Sequence, residues 1–460
     1  MAMYRTENPA TGQVEQEFET LDDAGVANAL DRVQVGYLNW RASEVADRAA
    51  ILNRVAELYE ERADELARVI AVEMGKPIAQ GKGEIGLVAA IYRYYAANGP
   101  GALAQEILDD QGADATVVVR EPVGALLGIM PWNYPYYQVA RFAAPNLLVG
   151  NSMLLKHAPI CARSAQLMEE IFLQAGLPAD TYVNIYATNE QVETIIADPR
   201  IQGVSLTGSE RAGSAVAATA GKHLKKCVLE LGGSDAMIIL DAADVEKMVK
   251  VATQARLGNA GQACNSPKRM FVAEGIYQEF VAKLTDSFAK VTTGDPTVQG
   301  TGMGPMSSVE ALEGLLSQVQ DAVGKGAVVH TGGGRVPGPG SFMAPTVLTG
   351  VTPAMRAWSE ELFGPVGVVY PVSSPDEAVE LANASAYGLS GSVWTQDLAL
   401  GSAIADRLDV GMSYVNEHGT TLPGIPFGGV KRSGFGRELA KYGMDEFVNK
   451  KLRRTSAARG

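Results

Sequence analysis

Cys264 stands in a segment of small residues that favours a reactive thiol. It closes the run Gly258-Asn259-Ala260-Gly261-Gln262-Ala263-Cys264, in which small side chains leave room for a substrate and a loop N–H can hold an oxyanion. A lone thiol is more often an inert packing residue, and apolar surroundings favour that role for Cys161 and Cys227. Cys264 is therefore the candidate nucleophile, with packing as the alternative.

A thiol in this setting can carry out a redox reaction on an aldehyde. Attack on the carbonyl carbon gives a thiohemiacetal, which passes a hydride to a nicotinamide and becomes a thioester that water cleaves. The scheme requires a base, an amide donor for the oxyanion and a site for the nucleotide. A cysteine hydrolase is the alternative from the thiol alone, but no histidine stands in a motif that suggests a partner base.

Glu230 and Asn133 are the candidates for the base and the amide donor. Glu230 ends an apolar run and precedes Leu231-Gly232-Gly233, where glycines admit a ligand close to a carboxylate whose pKa burial would raise. Asn133 follows the predicted strand Ala125–Met130, at the edge where doubly wound sheets bind ligands. A solvated carboxylate at a strand end and an Asn beside Pro in a turn are the alternatives.

The candidate nucleotide site follows two further predicted strands. Gly208 and Ser209 come after Val204–Leu206, and Gly213 lies near the start of a helix that can receive a pyrophosphate. Lys156 ends Met153–Leu155 and can bind ribose or phosphate oxygens, or can be a solvated lysine. This pattern is not GxGxxG, and glycines after a strand are a weak signal by themselves.

Length, charge and composition restrict the classes of protein to which this chain can belong. The 460 residues favour two or three domains, and the net charge of −13 disfavours nucleic acid and anionic lipid as partners. The start MAMYRTEN resembles no targeting segment and no apolar run is long enough to span a bilayer, so we expect a cytoplasmic protein. Three unpaired cysteines and four scattered histidines predict neither a disulfide framework nor a metal site.

Short apolar runs alternating with helical stretches predict an α/β fold with parallel sheets. A single long amphipathic helix is predicted from Glu44 to Met74, closed by Gly75 and Pro77. The first strand series is Ala125–Met130, Met153–Leu155, Val183–Ile185, Val204–Leu206 and Val228–Leu229. The second is Arg269–Ala273, Ala327–His330, Val366–Tyr370, Ser392–Thr395 and Ser413–Asn416, with helices around Ile276–Val291, Pro375–Asn383 and Leu398–Arg407.

Together these pieces resemble the aldehyde dehydrogenase superfamily from Asn8 to Glu438. The resemblance covers nearly the whole chain, and the order and spacing of its motifs are more specific than any one of them. The motifs are Pro131-Trp132-Asn133, Leu155-Lys156-His157-Ala158-Pro159, Leu206-Thr207-Gly208-Ser209, Glu230-Leu231-Gly232-Gly233, Gly261-Gln262-Ala263-Cys264, Glu361-Leu362-Phe363-Gly364-Pro365 and Pro426-Phe427-Gly428-Gly429.

The resemblance implies roles for residues of this chain. It implies Cys264 as nucleophile, Glu230 as general base, Asn133 with the Cys264 N–H as the oxyanion site, and Glu438 as a second acid in a proton relay. The implied cofactor contacts are Trp132, Asn133, Lys156, His157, Ala158, Pro159, Gly208, Ser209, Gly213, Leu231, Glu361 and Phe363.

The resemblance also implies an architecture. We expect a Rossmann-like dinucleotide-binding domain (1–100 and 121–231), an α/β catalytic domain (232–440) and a small β segment that joins subunits (101–120 and 441–460). The extended segments Thr116–Arg120 and Phe447–Arg454 fall in the joining segments, so a homodimer or homotetramer is expected. Many NAD-preferring relatives have a Glu at the position of Pro159, so we expect NADP here, with NAD possible.

Substrate choice depends on Arg141 and Tyr137. The chain is most similar to the short bacterial succinate-semialdehyde dehydrogenases, in which an Arg at the position of Arg141 pairs with the distal carboxylate. Gly258 and Ser266 depart from relatives that have a second Arg and a second Cys there. For Arg141 the alternative is a helix-face arginine without a substrate role. For the whole chain the alternatives are a dehydrogenase for another small aliphatic or aromatic aldehyde, a CoA-acylating semialdehyde dehydrogenase and an inactive nucleotide-binding or structural protein.

Overall fold

The computed structural model describes residues 3–111, 114–242 and 244–456. Its helices are α1 (Asp23–Trp40), α2 (Val45–Glu61), α3 (Ala63–Met74), α4 (Ile78–Ala102), α5 (Pro135–Val149), α6 (Ala162–Gln174), α7 (Asn189–Ala197), α8 (Glu210–Lys222), α9 (Val245–Leu257), α10 (Glu274–Ala289), α11 (Val309–Gly324), α12 (Arg356–Ser359), α13 (Pro375–Asn383), α14 (Leu398–Ala405) and α15 (Ala440–Glu446). Short 3₁₀ helices span Pro159–Cys161 and Gly258–Gly261. Among the described helices, none is both long and apolar enough to cross a membrane.

The strands form sheets of two to seven members. They are β1 (Tyr4–Asn8), β2 (Gln13–Phe18), β3 (Glu106–Gln111), β4 (Asp114–Pro122), β5 (Ala125–Met130), β6 (Ser152–His157), β7 (Tyr182–Asn184), β8 (Ile201–Thr207), β9 (Lys226–Glu230), β10 (Asp235–Ile239), β11 (Pro267–Ala273), β12 (Val328–Thr331), β13 (Thr346–Thr349), β14 (Val366–Val372), β15 (Tyr387–Gly388), β16 (Ser390–Trp394), β17 (Met412–Val415), β18 (Val430–Lys431), β19 (Gly434–Phe435) and β20 (Val448–Thr455).

The first large sheet has the strand order β19-β9-β8-β5-β6-β7. Strands β5 to β9 are parallel, and only β19 is antiparallel to its neighbour. The chain runs outward from β5 through β6 to β7 and then returns to the other side of β5 at β8. Ligands bind where the order reverses, outside the carboxyl ends of the strands. The segments after β5 and β8 therefore border the expected site.

The second large sheet has the order β12-β13-β14-β11-β10-β16-β17 and is parallel except at β12. Both predicted strand series are confirmed in these two sheets, which confirms the α/β class. Sequence reasoning missed β10 and β13. Residues 235–239 form β10 and are all buried. Only a short loop and no helix separates β10 from β9, so the alternation of strands and helices in the sequence did not reveal it.

The predicted single helix from Glu44 to Met74 is wrong. The chain forms α2 and α3 with a break at Arg62, whose φ of −103° and ψ of 16° leave the helical region. Apolar periodicity continues across the break because both helices pack on α4, so the pattern alone could not reveal it. The predicted end at Gly75 is confirmed, with a left-handed φ of 84°.

A three-stranded antiparallel sheet lies apart from the other two, in the order β20-β4-β3. It pairs Val448–Thr455 with 115–122, so the two extended segments singled out in the sequence are strand partners although they are far apart in the chain. Large apolar side chains remain exposed here: Ile107 by 61%, Leu108 by 55% and Leu452 by 62%.

Candidate active site

A cavity of about 280 Å³ lies at the reversal point of the first sheet. Its wall includes residues after β5, β8 and β9 together with Cys264 and two residues from the segment before β14. They are Pro131, Trp132, Asn133, Gln138, Thr207, Gly208, Ser209, Leu231, Gly232, Cys264, Glu361 and Phe363. The structure thus brings together eight of the predicted site residues from five separate stretches of the chain.

The loop that carries Cys264 has an unusual backbone. Asn259 and Ala260 have positive φ angles of 53° and 52°, and Gly261 follows at 72°. Left-handed conformations are unfavourable for residues with a Cβ, so neighbouring groups must hold them. The Asn259 amide does so by donating to the carbonyls of Asn133 (2.9 Å) and Gln262 (3.2 Å).

Two buried cations that sequence reasoning missed also hold this loop. Arg256, at the end of α9, donates to the carbonyls of Gly261 (3.0 Å) and Val366 (2.7 Å). Lys268, in β11, donates to the carbonyls of Ala263 (2.7 Å) and Cys264 (2.5 Å). Neither position stands in a recognisable motif, since what matters is a contact between distant segments. The thiol therefore sits on a backbone restrained from two sides.

Cys264 is partly exposed as a whole residue, whereas Cys161 is fully buried and Cys227 packs against an apolar cluster. Burial raises the pKa of the Cys264 thiol to about 12, and the positive charges of Arg141 and Lys268 act in the opposite direction. The thiol is therefore protonated at neutral pH, and its attack on a carbonyl requires removal of the proton.

Asn133 lies buried beside Cys264 in the cavity wall. Its side-chain nitrogen donates to the Gln262 carbonyl at 3.1 Å, and its side-chain oxygen accepts from Gln138 at 3.4 Å. Because an amide nitrogen has two N–H groups, one remains to face an oxyanion. The contact with Gln262 also fixes which end of the amide is the donor.

Glu230 is the last residue of β9 and is almost fully buried. Neither of its carboxyl oxygens has a hydrogen-bond partner among the described residues. Burial raises the pKa of Glu230 well above its ordinary value, Arg141 lowers it and Glu438 raises it further. Glu230 does not line the 280 Å³ cavity, although the next two residues do. A Cβ on Gly428 would lie 2.7 Å from its Oε1, so this glycine makes room for the carboxylate.

Arg141 is paired with Glu438 rather than open to the cavity. Their side chains are 0% and 5% exposed, and the guanidinium Nε contacts the carboxylate. The other guanidinium nitrogens donate to the hydroxyls of Tyr137 (3.3 Å) and Thr207 (3.2 Å). Arg141 is therefore buried, and the predicted substrate residues Arg141 and Tyr137 lie together with the predicted relay residue Glu438.

Glu361 and Phe363 form the wall opposite the sheet. Glu361 accepts a hydrogen bond from the Gly233 N–H at 3.0 Å and forms an ion pair with Lys268 at 3.2 Å. The ring of Phe363 meets the ring of Trp132 edge to face, with centroids 5.7 Å apart. Glu361 and Phe363 line the 280 Å³ cavity together with Trp132 and Cys264.

We expect Gly232→Ala to weaken cofactor binding about tenfold or more. A Cβ at Gly232 would collide with the Glu361 carboxylate, and moving that carboxylate breaks its hydrogen bond to Gly233. The dissociation constant from quenching of tryptophan fluorescence is the measurement. Gly221→Ala, in α8 with open space around the new Cβ, is the matched control. Unchanged binding in Gly232→Ala would contradict the assignment.

The segment after β8 has the features of a phosphate site. Ser209 caps α8, its hydroxyl accepting from the Ala212 N–H at 3.3 Å, and Gly208 has room for a ligand. Gly213 has another function, since a Cβ there would lie 2.6 Å from Leu231. It therefore allows α8 to pack closely on the end of β9. Backbone N–H groups at a helix start attract phosphate.

Of the residues that follow Leu155, Lys156 lines a cavity, whereas His157 and Pro159 are part of the surrounding fold. β6 continues through Lys156 to His157, beyond the predicted end at Leu155, and Lys156 lines a second cavity. His157 accepts from the Ala158 N–H at 2.8 Å and donates to the Pro135 carbonyl at 3.0 Å. Burial lowers the pKa of His157 to about 4, so the neutral ring ties β6 to α5. Pro159 starts the following 3₁₀ helix.

The two departures from the family pattern lie in different surroundings. Gly258 and Tyr134 both border a wide cavity of about 730 Å³, and a Cβ on Gly258 would meet no atom within 4 Å. Ser266 is buried and donates to the Ala255 carbonyl at 2.9 Å. Within the described ranges no group of three or more His, Cys, Asp or Glu side chains is arranged to hold a metal ion.

Comparison with known proteins agrees with this geometry. The model of the aldehyde dehydrogenase family matches residues 2–452. The chain belongs to this family.

Among its relatives is a succinate-semialdehyde dehydrogenase [NADP(+)] of Deinococcus radiodurans, 51% identical over 98% of this chain and 94% of the relative. A succinic semialdehyde dehydrogenase from Streptococcus pyogenes, solved with NADP+, superimposes with a TM-score of 0.95 at 42% identity, over 98% of this chain and 99% of that one. A succinate-semialdehyde dehydrogenase from Burkholderia pseudomallei gives 0.95 at 34% identity, over 99% and 95%.

Proposed function

We propose that this chain oxidises succinate semialdehyde to succinate with NADP. The observation that carries the proposal is the 280 Å³ cavity, which places the Cys264 thiol beside Asn133 and against the Trp132 and Phe363 rings. The similarity to succinate-semialdehyde dehydrogenases, 51% identical in one case, supports the choice of substrate and cofactor.

The residues of the cavity fit a dinucleotide. Gly208 and Gly232 leave room for phosphates and ribose. Lys156, which forms no salt bridge with any residue that the structure describes, supplies a donor. Ser209 and the α8 N–H groups would hold the pyrophosphate, and Glu361 the ribose next to the nicotinamide. When bound, NADP supplies the acceptor for the hydride that leaves the substrate carbon.

Side chains of this protein carry out the other steps of the reaction. The Cys264 sulfur attacks the aldehyde carbon while Glu230 takes the thiol proton and passes it on through Glu438, and the carbonyl oxygen becomes an oxyanion. The Asn133 amide and the Cys264 N–H stabilise that charge. After the hydride leaves, the carbonyl is restored as a thioester on Cys264. Glu230 takes a proton from the attacking water, succinate leaves, and Glu438 passes the proton toward solvent.

Hydrolysis rather than transfer to CoA follows from Glu230. A buried carboxylate with a raised pKa is a base suited to water near neutral pH, whereas CoA brings a thiol that needs less activation. Adding CoA should leave the rate unchanged and yield no acyl-CoA.

Arg141 is the proposed partner of the substrate carboxylate. The Arg141 charge is close enough to Cys264 to lower the pKa of the thiol. This closeness matches the short distance between the aldehyde and the carboxylate of succinate semialdehyde. In the absence of substrate, Glu438 provides the anion that a buried guanidinium requires.

We expect Arg141→Gln combined with Glu438→Gln to lower kcat/KM for succinate semialdehyde relative to butanal by roughly 10- to 100-fold. The double variant removes both charges of a buried pair, so it leaves no uncompensated charge to unfold the protein. Steady-state kinetics with both aldehydes give the ratio, in which loss of the relay residue cancels because it affects both substrates. Equal losses for the two aldehydes would mean that Arg141 is structural.

We propose that the sheet β20-β4-β3 contacts a second copy of the chain. The support is its exposed Ile107, Leu108 and Leu452 side chains, together with a position apart from the two large sheets. Clustered apolar exposure of this kind is typical of subunit contacts. A homodimer or a homotetramer is consistent with such a sheet.

A further inference from the structure

Lys268 is a buried ammonium whose three N–H groups all have protein acceptors. Its Nζ donates to the carbonyls of Ala263 (2.7 Å) and Cys264 (2.5 Å) and lies 3.2 Å from Oε1 of Glu361. An ammonium has three donors, and this side chain is 1% exposed, so water does not compete for these contacts. Lys268 therefore joins the backbone of the nucleophile to a carboxylate in the wall of the 280 Å³ cavity.

The two carboxylate oxygens of Glu361 have different surroundings. Oε1 accepts from the Gly233 N–H and contacts the Lys268 ammonium. Oε2 lies beside Gly232, where an added Cβ would collide with it, and no residue that the structure describes donates a hydrogen bond to it. One oxygen therefore holds Lys268, while the other remains available to a ligand in the cavity.

Asp235 brings a second negative charge near the same ammonium. It is the first residue of β10, which pairs with the strand that carries Lys268, and it accepts from the N–H (3.2 Å) and the hydroxyl of Ser390. Burial raises the pKa of Asp235 to about 7, and the charge of Lys268 acts in the opposite direction. Among the described residues, Glu361 is the carboxylate within ion-pair distance of Lys268. Its hold on the ammonium is therefore the direct one.

These charges act on the Cys264 thiol in opposite directions. Burial raises the pKa of the thiol, Arg141 and Lys268 lower it, and Glu361 and Asp235 raise it. Glu361 thus opposes the help that Lys268 gives to the thiolate, while it also attracts the ammonium toward itself. How strongly Lys268 favours the thiolate therefore depends on its contact with Glu361.

We propose that Lys268 is a positioning residue through which Glu361 controls the reactivity of the Cys264 thiol. The hydrogen bonds of the ammonium fix the main chain of the nucleophile, and its charge favours the thiolate. Glu361 holds the ammonium in place and limits the effect of that charge. The proposal rests on the proposed function, in which Cys264 is the nucleophile and Glu361 binds the cofactor, and adds the residue that connects the two.

The test is the rate at which iodoacetamide, a neutral reagent, alkylates Cys264 in the protein without substrate or cofactor. The mass of the peptide that carries Cys264 follows the reaction, at one alkaline pH at which Asp235 is ionised. Because the thiolate is the nucleophile, the rate reports how readily the thiol ionises. We expect Lys268→Met to slow alkylation roughly tenfold and Glu361→Gln to accelerate it at least about threefold.

The variant with both substitutions tests whether Glu361 acts through Lys268. In the Lys268→Met background, Glu361→Gln should change the alkylation rate by less than about twofold, because the ammonium that the carboxylate attracts is gone. Arg256 still holds the Gly261 carbonyl in these variants, so the loop should remain folded. If Lys268→Met does not fold, the single variant Glu361→Gln decides, and an unchanged rate there overturns the proposal.

The chain offers a matched control in the exposed ion pair between Lys283 and Glu279 on α10, 2.8 Å apart. Lys283→Met, Glu279→Gln and their combination remove the same charges elsewhere and should leave the alkylation rate within about twofold.

Two results would overturn the proposal, and they are distinguishable from failure of the proposed function. If Lys268→Met and Glu361→Gln change the rate in the same direction, the ion pair only stiffens the loop. If Glu361→Gln accelerates alkylation equally with and without Lys268, the carboxylate acts on the thiol directly. Full aldehyde oxidation by the unmodified protein after alkylation of Cys264 would instead contradict the proposed function.

Discussion

Cys264→Ala is expected to abolish aldehyde oxidation, lowering kcat by at least about a thousandfold. Every step of the proposed reaction passes through a bond to this sulfur, and no other thiol reaches the cavity among the described residues. Reduction of NADP, followed by its absorbance with succinate semialdehyde, is the measurement.

The same variant should still fold and bind cofactor. The loop is held through backbone carbonyls by Lys268 and Arg256, so removing the sulfur leaves these contacts in place. Cys227→Ala is the matched control, since this partly buried thiol lies in another region and its loss should leave activity within about twofold. Substantial turnover by Cys264→Ala would exclude the covalent mechanism.

Glu230→Gln is expected to lower kcat by roughly 10²- to 10⁴-fold. The substitution keeps the size of the side chain and removes a buried negative charge, so the fold should be retained. The water step should be affected most, because water is a much weaker acid than a thiol whose pKa is about 12. The first NADPH formed by each chain should therefore appear faster than later turnovers, as stopped-flow absorbance can show.

The pH dependence of turnover tests independently whether Glu230 acts as the base. Its pKa is raised by burial, and only the ionised carboxylate is a base. The rate of the unmodified protein should therefore rise as pH increases through that raised pKa. In Glu230→Gln this rise should disappear, whereas a persistent rise of the same midpoint would assign it to another group.

Much of the site could be predicted from sequence because its residues stand next to strand ends. Parallel strands have their carboxyl ends at one edge of the sheet. Asn133 after β5 and Ser209 after β8 are therefore expected to lie at the same edge. The position of Cys264 could not be predicted in this way, since it follows a 3₁₀ helix and not a strand. Its assignment as nucleophile came from the small residues that precede it and from the resemblance of all the motifs taken together.

What sequence could not reveal are contacts between charged groups distant in the chain. The pairing of Arg141 with Glu438, and the support that Lys268 gives to Cys264, depend on packing between separate elements. Charged residues buried in this way look like surface residues in a sequence. The limits of the domains, the roles of individual cofactor contacts and the cytoplasmic location stay predictions.

The most direct test of the central claim is the mass of Glu230→Gln after mixing with NADP and succinate semialdehyde and quenching in acid within one turnover. We predict an increase by one succinyl group per chain, located on the peptide that carries Cys264 and absent from Cys264→Ala. Formation of NADPH with Cys264 unmodified, or with the acyl group on another residue, would contradict the account.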